Sequence, residues 1–454
     1  MSTNISRRKV VAGAAWAAPV VAASAAVPAF ASSTVCEWES TAAYTAEGNV
    51  SGAKGSASFT VPPLVDKIKF EVVGGAGGTN YDDIAAGSGA KITGIIEVKP
   101  GQTVQLVAGA GGIGNGPLSP AEGGEGYGNG GSSNLPTPIP ASVMQSVNSI
   151  WPKDSSLKRI IYSASGGGSS ALVINGTPVA VAGGGGGAGF VNSGGANNNE
   201  QYAAAGAVDA GRLWPSGAKR NAYPVIGSTG GSAEGAEGSA GKQGALTYAA
   251  DTSVTTTVNA GEGGSAGIGG NGGSKTDLPS GKSPNGVLGY SSANNQEIYA
   301  SSKSGNQGGD GFKGNGGDGV GSYSYLIDNN DRTKKEVGTH NGTTYALEYE
   351  SIGFNFNGYE SVISAGGGAG YGGGGSGAST SSSAIVLTQK WNNNPNGLRQ
   401  NVGFAQFGGG GGAGGSYVAP GVSGGTIESA GNAPTERGKR GNGYVKVTLC
   451  KRTA

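Results

Sequence analysis

The chain has 454 residues, of which 94 are glycine, about three times the ~7 % share of an average protein. The 30 Lys and Arg residues nearly balance the 29 Asp and Glu residues, so the composition predicts no basic surface for nucleic acid or anionic membranes. With only one histidine and two cysteines, the chain is poor in metal ligands and in acid–base groups. We therefore expect no cofactor and no enzyme activity.

Residues 1–31 have the pattern of a cleaved export signal. A basic Arg7-Arg8-Lys9 segment precedes an apolar, alanine-rich stretch. The stretch ends in Ala29-Phe30-Ala31, a small-x-small cleavage site, which predicts that signal peptidase cuts before Ser32. Cleavage leaves 27 basic and 29 acidic residues, since residues 1–31 contain three basic and no acidic residues.

The export route is predicted from the paired arginines. Arg7 and Arg8 followed by a weakly hydrophobic stretch resemble the twin-arginine signals of secreted actinobacterial proteins, so the twin-arginine translocase is the expected transient partner. Val10 stands where a larger apolar residue is commoner, so the general secretory route stays open as an alternative. A retained membrane anchor is disfavoured by Pro19 and Pro28 and by the cleavage site.

The two cysteines lie at opposite ends of the predicted mature chain. In an oxidising compartment an even pair most simply forms one bridge, so we expect a Cys36–Cys450 disulfide. In the chain-entropy view, closing so long a loop is worth roughly 4 to 5 kcal/mol. Lipid modification of Cys36 is the alternative, although the preceding Ser-Thr-Val is not a lipobox.

Short strands are predicted in front of the glycine tracts. Residues 67–73 alternate apolar and charged side chains, the two-residue period of a half-buried strand. Residues 92–98 and 104–108 form two more strands, and Pro100-Gly101 between them predicts a hairpin.

Three further strands follow the same logic. Residues 171–174 and 177–181 flank Asn175-Gly176, which suits a type I′ hairpin turn. Residues 444–450 form the last strand. Because no long helical periodicity occurs, the predicted fold class is all-β.

The glycine tracts have two possible structures. They could be flexible linkers, or they could be extended polyglycine II helices with three residues per turn that pack side by side. A collagen triple helix is excluded because no strict three-residue glycine period exists. The tracts lie near residues 74–78, 109–116, 123–131, 166–168, 183–189, 227–241, 261–273, 305–321, 366–377, 408–415 and 421–425.

Four inserts between the tracts are predicted to be long irregular loops, near residues 135–165, 197–226, 322–364 and 383–407. Aromatic residues in or beside these inserts form our candidate binding surface, because aromatic side chains give large contact areas at low entropic cost. They are Trp151, Trp214, Trp391, Tyr127, Tyr223, Tyr290 and Tyr371. The alternative for each is a loop anchor on a small hydrophobic cluster.

Other motifs point only weakly to chemistry. Gly109, Gly111 and Gly114 match the dinucleotide fingerprint, but the Asn-Gly-Pro that follows cannot begin the required helix. Asp310 and Asp318 lie in a Gly/Asp-rich segment that could contribute to a Ca²⁺ site, but the unit does not recur and six or more oxygens are needed. His340 has no second histidine to complete a zinc site.

Four sequence segments carry a resemblance to a known family. They are SFTVPPLVDKIKFEVVGGAGG, KITGIIEVKPGQTVQLVAGAGGIG, SSALVINGTPVAVAGGGGGAG and GKRGNGYVKVTLC. In this order they resemble the glycine-rich domain family, which includes bacterial surface and phage tail-tip proteins and the ectodomain of anaplastic lymphoma kinase receptors. The resemblance implies a jelly-roll-like β-sandwich with polyglycine II helices packed beside it, which favours ordered tracts.

Together these patterns predict one glycine-rich β domain over residues 32–454. The expected function is that of a secreted or cell-surface scaffold that presents loops to a cell-surface glycan or protein, as adhesins do. A structural envelope component that self-associates through its glycine tracts is the first alternative. An extracellular polysaccharide hydrolase is the second, although no nucleophile and base are recognisable.

Overall fold

In the computed structural model, almost all of the regular secondary structure is β-strand. It describes residues 36–80, 86–116, 118–136, 138–142, 144–145, 158–195, 208–209, 224–225, 230–233, 235–239, 244–248, 254–275, 296–299, 301–328, 336–340, 343–347, 358–389 and 397–452. Residues 141, 142, 144 and 145 are helical. The strands are β1 (Cys36–Trp38), β2 (Tyr44–Glu47), β3 (Gly55–Thr60), β4 (Val65–Val73), β5 (Ala90–Glu97), β6 (Thr103–Ala108), β7 (Lys158–Tyr162), β8 (Ser170–Ile174), β9 (Thr177–Ala182), β10 (Phe190–Gly195), β11 (Val208–Asp209), β12 (Pro224–Val225), β13 (Gly244–Tyr248), β14 (Val254–Val258), β15 (Gln296–Tyr299), β16 (Ser301–Lys303), β17 (Gly321–Asp328), β18 (Glu336–His340), β19 (Thr343–Leu347), β20 (Gly358–Ile363), β21 (Ser379–Gln389), β22 (Gly397–Gly408), β23 (Tyr417–Val418), β24 (Ser423–Ser429) and β25 (Tyr444–Arg452).

Two of the sheets enclose the main hydrophobic core. Sheet 1 has the order β1-β25-β4-β5-β24, with β2 also paired to β25, and sheet 2 has the order β23-β9-β8-β6-β3. Alternate residues of each strand point inward, as Ile68 and Phe70 do from sheet 1 and Leu106 and Leu172 do from sheet 2. All four are buried in one cluster, which confirms the prediction of an all-β, sandwich-like fold.

The local patterns located these strands closely. Strands β4, β6 and β25 include the predicted segments 67–73, 104–108 and 444–450. The β8–β9 hairpin turns at Asn175 and Gly176, whose φ angles of 48° and 81° are the positive values that a type I′ turn requires.

The predicted hairpin at Pro100-Gly101 is wrong. Strand β5 pairs with β4 and β24 in sheet 1, whereas β6 pairs with β3 and β8 in sheet 2. The turn therefore carries the chain from one layer of the sandwich to the other. A Pro-Gly turn shows that the chain reverses between two strands, but it does not show whether those strands pair with each other or with strands of different sheets.

The final strand lies inside sheet 1 rather than at its edge. Strand β25 pairs with β4 on one side and with β1 and β2 on the other. Cys36 of β1 and Cys450 of β25 form a disulfide, with Cα atoms 5.4 Å apart, which confirms the predicted bridge. The first and last strands are thus joined both by backbone pairing and covalently.

The inserts contain strands where loops were predicted. Strands β7, β17 and β20 join β15 in sheet 3, in the order β15-β17-β20-β7. Sheet 4 has the order β16-β21-β22-β19-β18, with β10 also paired to β22. Insert 322–364 supplies β18, β19, β20 and most of β17, and insert 383–407 supplies most of β21 and β22.

Serine hydroxyl groups join sheets 3 and 4. The Oγ atoms of Ser322 in β17 and Ser379 in β21 lie 2.7 Å apart, and those of Ser324 and Ser381 lie 2.9 Å apart. All four residues are buried. Because serines occupy buried positions in these strands, the strands lack the alternating apolar residues from which a strand is predicted.

The glycine tracts pack together into what we call the glycine lattice, formed mainly by residues 74–78, 109–112, 164–169, 183–188, 261–273, 305–320, 364–378 and 409–416. Residues of one segment that lie three positions apart donate their N–H groups to the same neighbouring segment. In segment 183–188 the bonds run from Gly184 to Ala369 and from Gly187 to Gly366, and from Gly185 to Gly75 and from Ala188 to Gly78. The polyglycine II conformation stays a prediction, but these bonds have the three-residue period that it requires.

A segment in the middle of the lattice has six neighbours among the described residues. Segment 364–370 donates backbone N–H groups to segments 314–320, 409–412 and 164–167. Its carbonyl groups accept hydrogen bonds from segments 184–187 and 374–377 and from residue 131. The buried backbone groups of this segment are thus paired without a sheet or an α-helix.

Close backbone approach explains why these positions are glycine. A Cβ atom added to Gly367 would lie less than 3.0 Å from the carbonyl groups of Gly374 and Gly375. A Cβ on Gly186 would meet the carbonyl of Gly411 in the same way. Only the absence of side chains lets the segments come near enough to share hydrogen bonds.

Candidate functional site

A group of aromatic side chains covers the outer face of sheet 2. Ala171, Val173 and Val181 form a small buried cluster on this face, outside the main core. The half-buried side chains of Tyr127, Phe312 and Tyr417 pack against that cluster. We call Tyr127, Phe312, Tyr371 and Tyr417 the aromatic cluster. Burial of these rings joins parts of the chain that are far apart in sequence.

A tight turn of the glycine lattice presents the centre of this cluster. Phe312 and Lys313 occupy the middle of a turn that is closed by a 3.2 Å hydrogen bond from Gly314 N–H to the Gly311 carbonyl. Gly311 has a φ of +82°, which favours glycine, and its N–H donates to the Gly267 carbonyl. The turn is thereby fixed to the lattice, and it directs Phe312 and Lys313 toward different rings.

Phe312 contacts two tyrosines. Its ring stacks on Tyr371 with centroids 4.7 Å apart and meets Tyr417 edge-on with centroids 4.9 Å apart. The rings of Tyr371 and Tyr417 lie 5.1 Å apart at a tilted angle. Stacked and edge-to-face pairs at these distances are favourable geometries for aromatic rings.

Tyr371 is held by packing on more than one side. Besides Phe312, it contacts Gly267, where an added Cβ would lie 2.9 Å from two carbon atoms of the Tyr371 ring. Its backbone N–H donates to the Gly415 carbonyl of the lattice. This residue therefore anchors the lattice to the cluster, the alternative role that the sequence left open for each aromatic residue.

Lys313 provides the positive charge of the site. Its Nζ atom lies 5.0 Å from the centroid of the Tyr127 ring, within the range of a cation–π contact. The side chain is exposed, and in the part of the chain that the structure describes it forms no ion pair. Burial raises the pKa of the Tyr127 hydroxyl above its ordinary value.

Two asparagines form a polar border beside Lys313 and Tyr127. The backbone N–H of Asn129 donates to Oδ1 of Asn315 over 2.8 Å, and the Gly126 N–H donates to Oδ1 of Asn129 over 3.1 Å. These bonds tie the 126–129 loop to the turn that carries Lys313. Both asparagines are exposed, and their side-chain NH₂ groups donate no hydrogen bond to any residue that the structure describes.

The structure brings together two of the seven predicted aromatic residues, Tyr127 and Tyr371. Phe312 and Tyr417 were missed. Phe312 lies in the Gly/Asp-rich segment considered for Ca²⁺, where the only signal was a lone aromatic residue between glycines. Trp151, Trp214, Trp391, Tyr223 and Tyr290 lie outside the described residues, as do Arg7, Arg8, Ala29, Ala31 and Ser32 of the predicted signal.

The weaker motifs have structural roles. Residues 110–116, which follow Gly109, are not helical; the Gly109 N–H donates to Ser170 Oγ and the Gly111 N–H donates to Asn442 Oδ1. The carboxylates of Asp310 and Asp318 accept backbone N–H groups from Gly269 over 2.8 Å and from Ser132 over 2.7 Å. His340 ends strand β18.

In the described part of the chain, no group of three or more His, Cys, Asp or Glu side chains could hold a metal ion. Nor does this part contain a helix with the length and apolar character needed to cross a membrane.

Comparison with known proteins adds no assignment, since no protein-family model matches the chain and no curated protein matches it. The resemblance to the glycine-rich domain family thus stays a prediction from sequence.

Proposed function

We propose that this protein is a secreted or cell-surface scaffold that binds a cell-surface glycan or protein, in the manner of an adhesin. The aromatic cluster is the observation that carries the proposal. Half-buried rings beside an exposed lysine and two exposed amides combine apolar contact area with polar groups that can select a ligand.

The glycine lattice supports this function because it would hold the binding residues in place without a large hydrophobic core. Its segments are cross-linked by backbone hydrogen bonds in several directions, so the turn at Gly311 and the loop at Gly126 have little freedom. A ligand that meets rings already held in place loses less free energy to ordering them.

An extracellular location is part of the proposal. The Cys36–Cys450 disulfide is compatible with an oxidising compartment, and the predicted signal supplies a route out of the cell. Expression of the full chain in an actinobacterial host should release a protein that begins at Ser32, as read by N-terminal sequencing. Replacing Arg7 and Arg8 by lysine should block export by the twin-arginine route, and undiminished release would assign export to the general secretory route.

A binding array tests the functional proposal. The fragment from Ser32 onward should bind a subset of immobilised glycans or surface proteins. Binding should fall in the Phe312→Ala, Tyr417→Ala double variant. Trp38→Ala is a matched control, because Trp38 is 40 % exposed but belongs to β1 in sheet 1. Equal loss in both variants, or no binding to any glycan or protein, would rule out this surface.

A further inference from the structure

We propose that the aromatic cluster binds a sugar that carries a carboxylate, such as a uronic or sialic acid unit, with Lys313 facing the carboxylate. The inference rests on the proposed function and narrows its ligand to one chemical class. Three features of the site support it: the aromatic rings, the charge of Lys313 and the amide groups at the border.

The rings match the apolar faces of sugars. One face of a pyranose ring presents mainly C–H groups, which pack against aromatic side chains. Phe312 and Tyr417 are half-buried against the outer face of sheet 2, and Tyr127 packs on the same buried cluster. Packing against the sheet, and of Phe312 against Tyr371, fixes these rings in place. They therefore need no rearrangement before a sugar packs on them.

The charge of Lys313 selects an anion. This exposed ammonium group rests over the Tyr127 ring and has no carboxylate partner among the residues described. The carboxylate of nearby Asp310 is instead bound to the Gly269 N–H. A lysine ammonium is a compact point charge, so it would attract a carboxylate without requiring one particular orientation of that carboxylate.

The asparagine amides match sugar hydroxyl groups. Asn129 and Asn315 are fixed through their Oδ1 atoms, which leaves both NH₂ groups directed to no other described residue. Each NH₂ group can donate to the hydroxyl oxygens of a sugar. An uncharged apolar ligand would leave both the ammonium and these amides unused, so an acidic sugar fits the whole site best.

Oligogalacturonate and its methyl ester provide a matched pair of probes, because esterification removes the charge and keeps the sugar. Oligomers of glucuronate and sialic acid extend the test to other carboxylated sugars. Binding of each to the fragment from Ser32 onward would be measured by titration calorimetry at two salt concentrations. At least one acid form should bind about tenfold more tightly than its ester, equivalent to about 1.4 kcal/mol. This preference should shrink as salt screens the exposed charge.

Lys313→Gln is the decisive variant, since an exposed side chain can change without disturbing the fold. It should bind the acid and the ester equally well, because the cycle of protein and ligand changes isolates the charge contact. Lys303→Gln removes another exposed lysine, at the end of β16, and should keep the preference. Circular dichroism of each variant verifies folding.

The outcomes separate the two proposals. Binding only of neutral glycans or of proteins at the cluster would overturn the acidic-sugar assignment and leave the scaffold function standing. A preference for the acid that survives Lys313→Gln would overturn the assignment too. If neither Phe312→Ala nor Lys313→Gln changed the affinity, the aromatic cluster would not be the binding site.

Discussion

Cys36 and Cys450 are 414 positions apart in sequence, yet their Cα atoms lie 5.4 Å apart and a disulfide joins them. The bridge fastens β1, a strand of three residues, to β25 in the interior of sheet 1. Glu39, the residue after β1, forms a 2.7 Å ion pair with Lys451 of β25. Because a partly exposed ion pair contributes little, the disulfide and the short backbone pairing of β1 with β25 are what hold this strand.

Removing the bridge should destabilise the protein. We expect the Cys36→Ser, Cys450→Ser variant to lose about 4 kcal/mol of unfolding free energy, because the unfolded chain regains the entropy of an open loop. Urea unfolding followed by circular dichroism measures the loss. A reductant should destabilise the parent protein by a similar amount and leave the variant unchanged. A stability insensitive to both treatments would contradict this role.

Alanine in the glycine lattice should be costly. At Gly367 an added Cβ would collide with carbonyl groups of segment 374–375, so we expect Gly367→Ala to destabilise by about 3 kcal/mol. Gly425→Ala is the matched control, because its Cβ would meet its neighbours at 3.4 Å or more. In a disordered tract, Gly→Ala would leave stability unchanged. Chemical unfolding of both variants therefore distinguishes a packed lattice from flexible linkers.

Hydrogen exchange gives an independent test of the lattice. The N–H groups of Gly185, Gly187 and Gly411 donate to lattice carbonyls at 2.9 to 3.0 Å, so they should exchange only through large-scale unfolding. Gly431 is exposed and donates to no described residue, so its amide should exchange quickly. Mass spectrometry of proteolytic fragments can compare the segments. Rapid exchange throughout segment 183–188 would show that the lattice is not stable in solution.

Tyr444 should titrate late. Burial, and then the hydrogen bond that its hydroxyl donates to Glu71 and the charge of that carboxylate, raise the pKa of Tyr444 to about 12. The folded pKa lies above the ordinary value of 10.0, so the folded state favours the neutral hydroxyl. This contribution to stability is complete below about pH 10 and is lost as the pH rises toward 12.

Ultraviolet absorbance of the phenolate can follow this titration. The parent protein should show a late-titrating tyrosine that the Tyr444→Phe variant lacks. Tyr417→Phe serves as the control and should keep the late transition. If the two variants titrate alike, the bond to Glu71 does not hold the Tyr444 proton in solution.

Local patterns were sufficient for most of the sandwich. Alternation along β4 and β25 and the Asn175-Gly176 turn report on one strand and its own neighbours, so the sequence reveals them directly. The pairing of β5 and β6 with separate sheets is a choice among distant partners, and it was predicted incorrectly. Sheets 3 and 4 were missed because their inward residues include serines that bond to one another.

The amino-acid sequence by itself determined the all-β class, the main strands and the partners in the disulfide. Strand alternation and turn residues are local signals, and two cysteines allow only one pairing. Only the tertiary structure decided that the glycine segments bond to one another every third residue. It alone decided that Tyr127, Phe312 and Tyr417 pack on one face of sheet 2, with Tyr371 against two of these rings. Both depend on which distant segments meet. Glycine has no side chain whose polarity could indicate which segment it packs against. The lattice and the site that it supports are therefore defined only when the whole chain is packed.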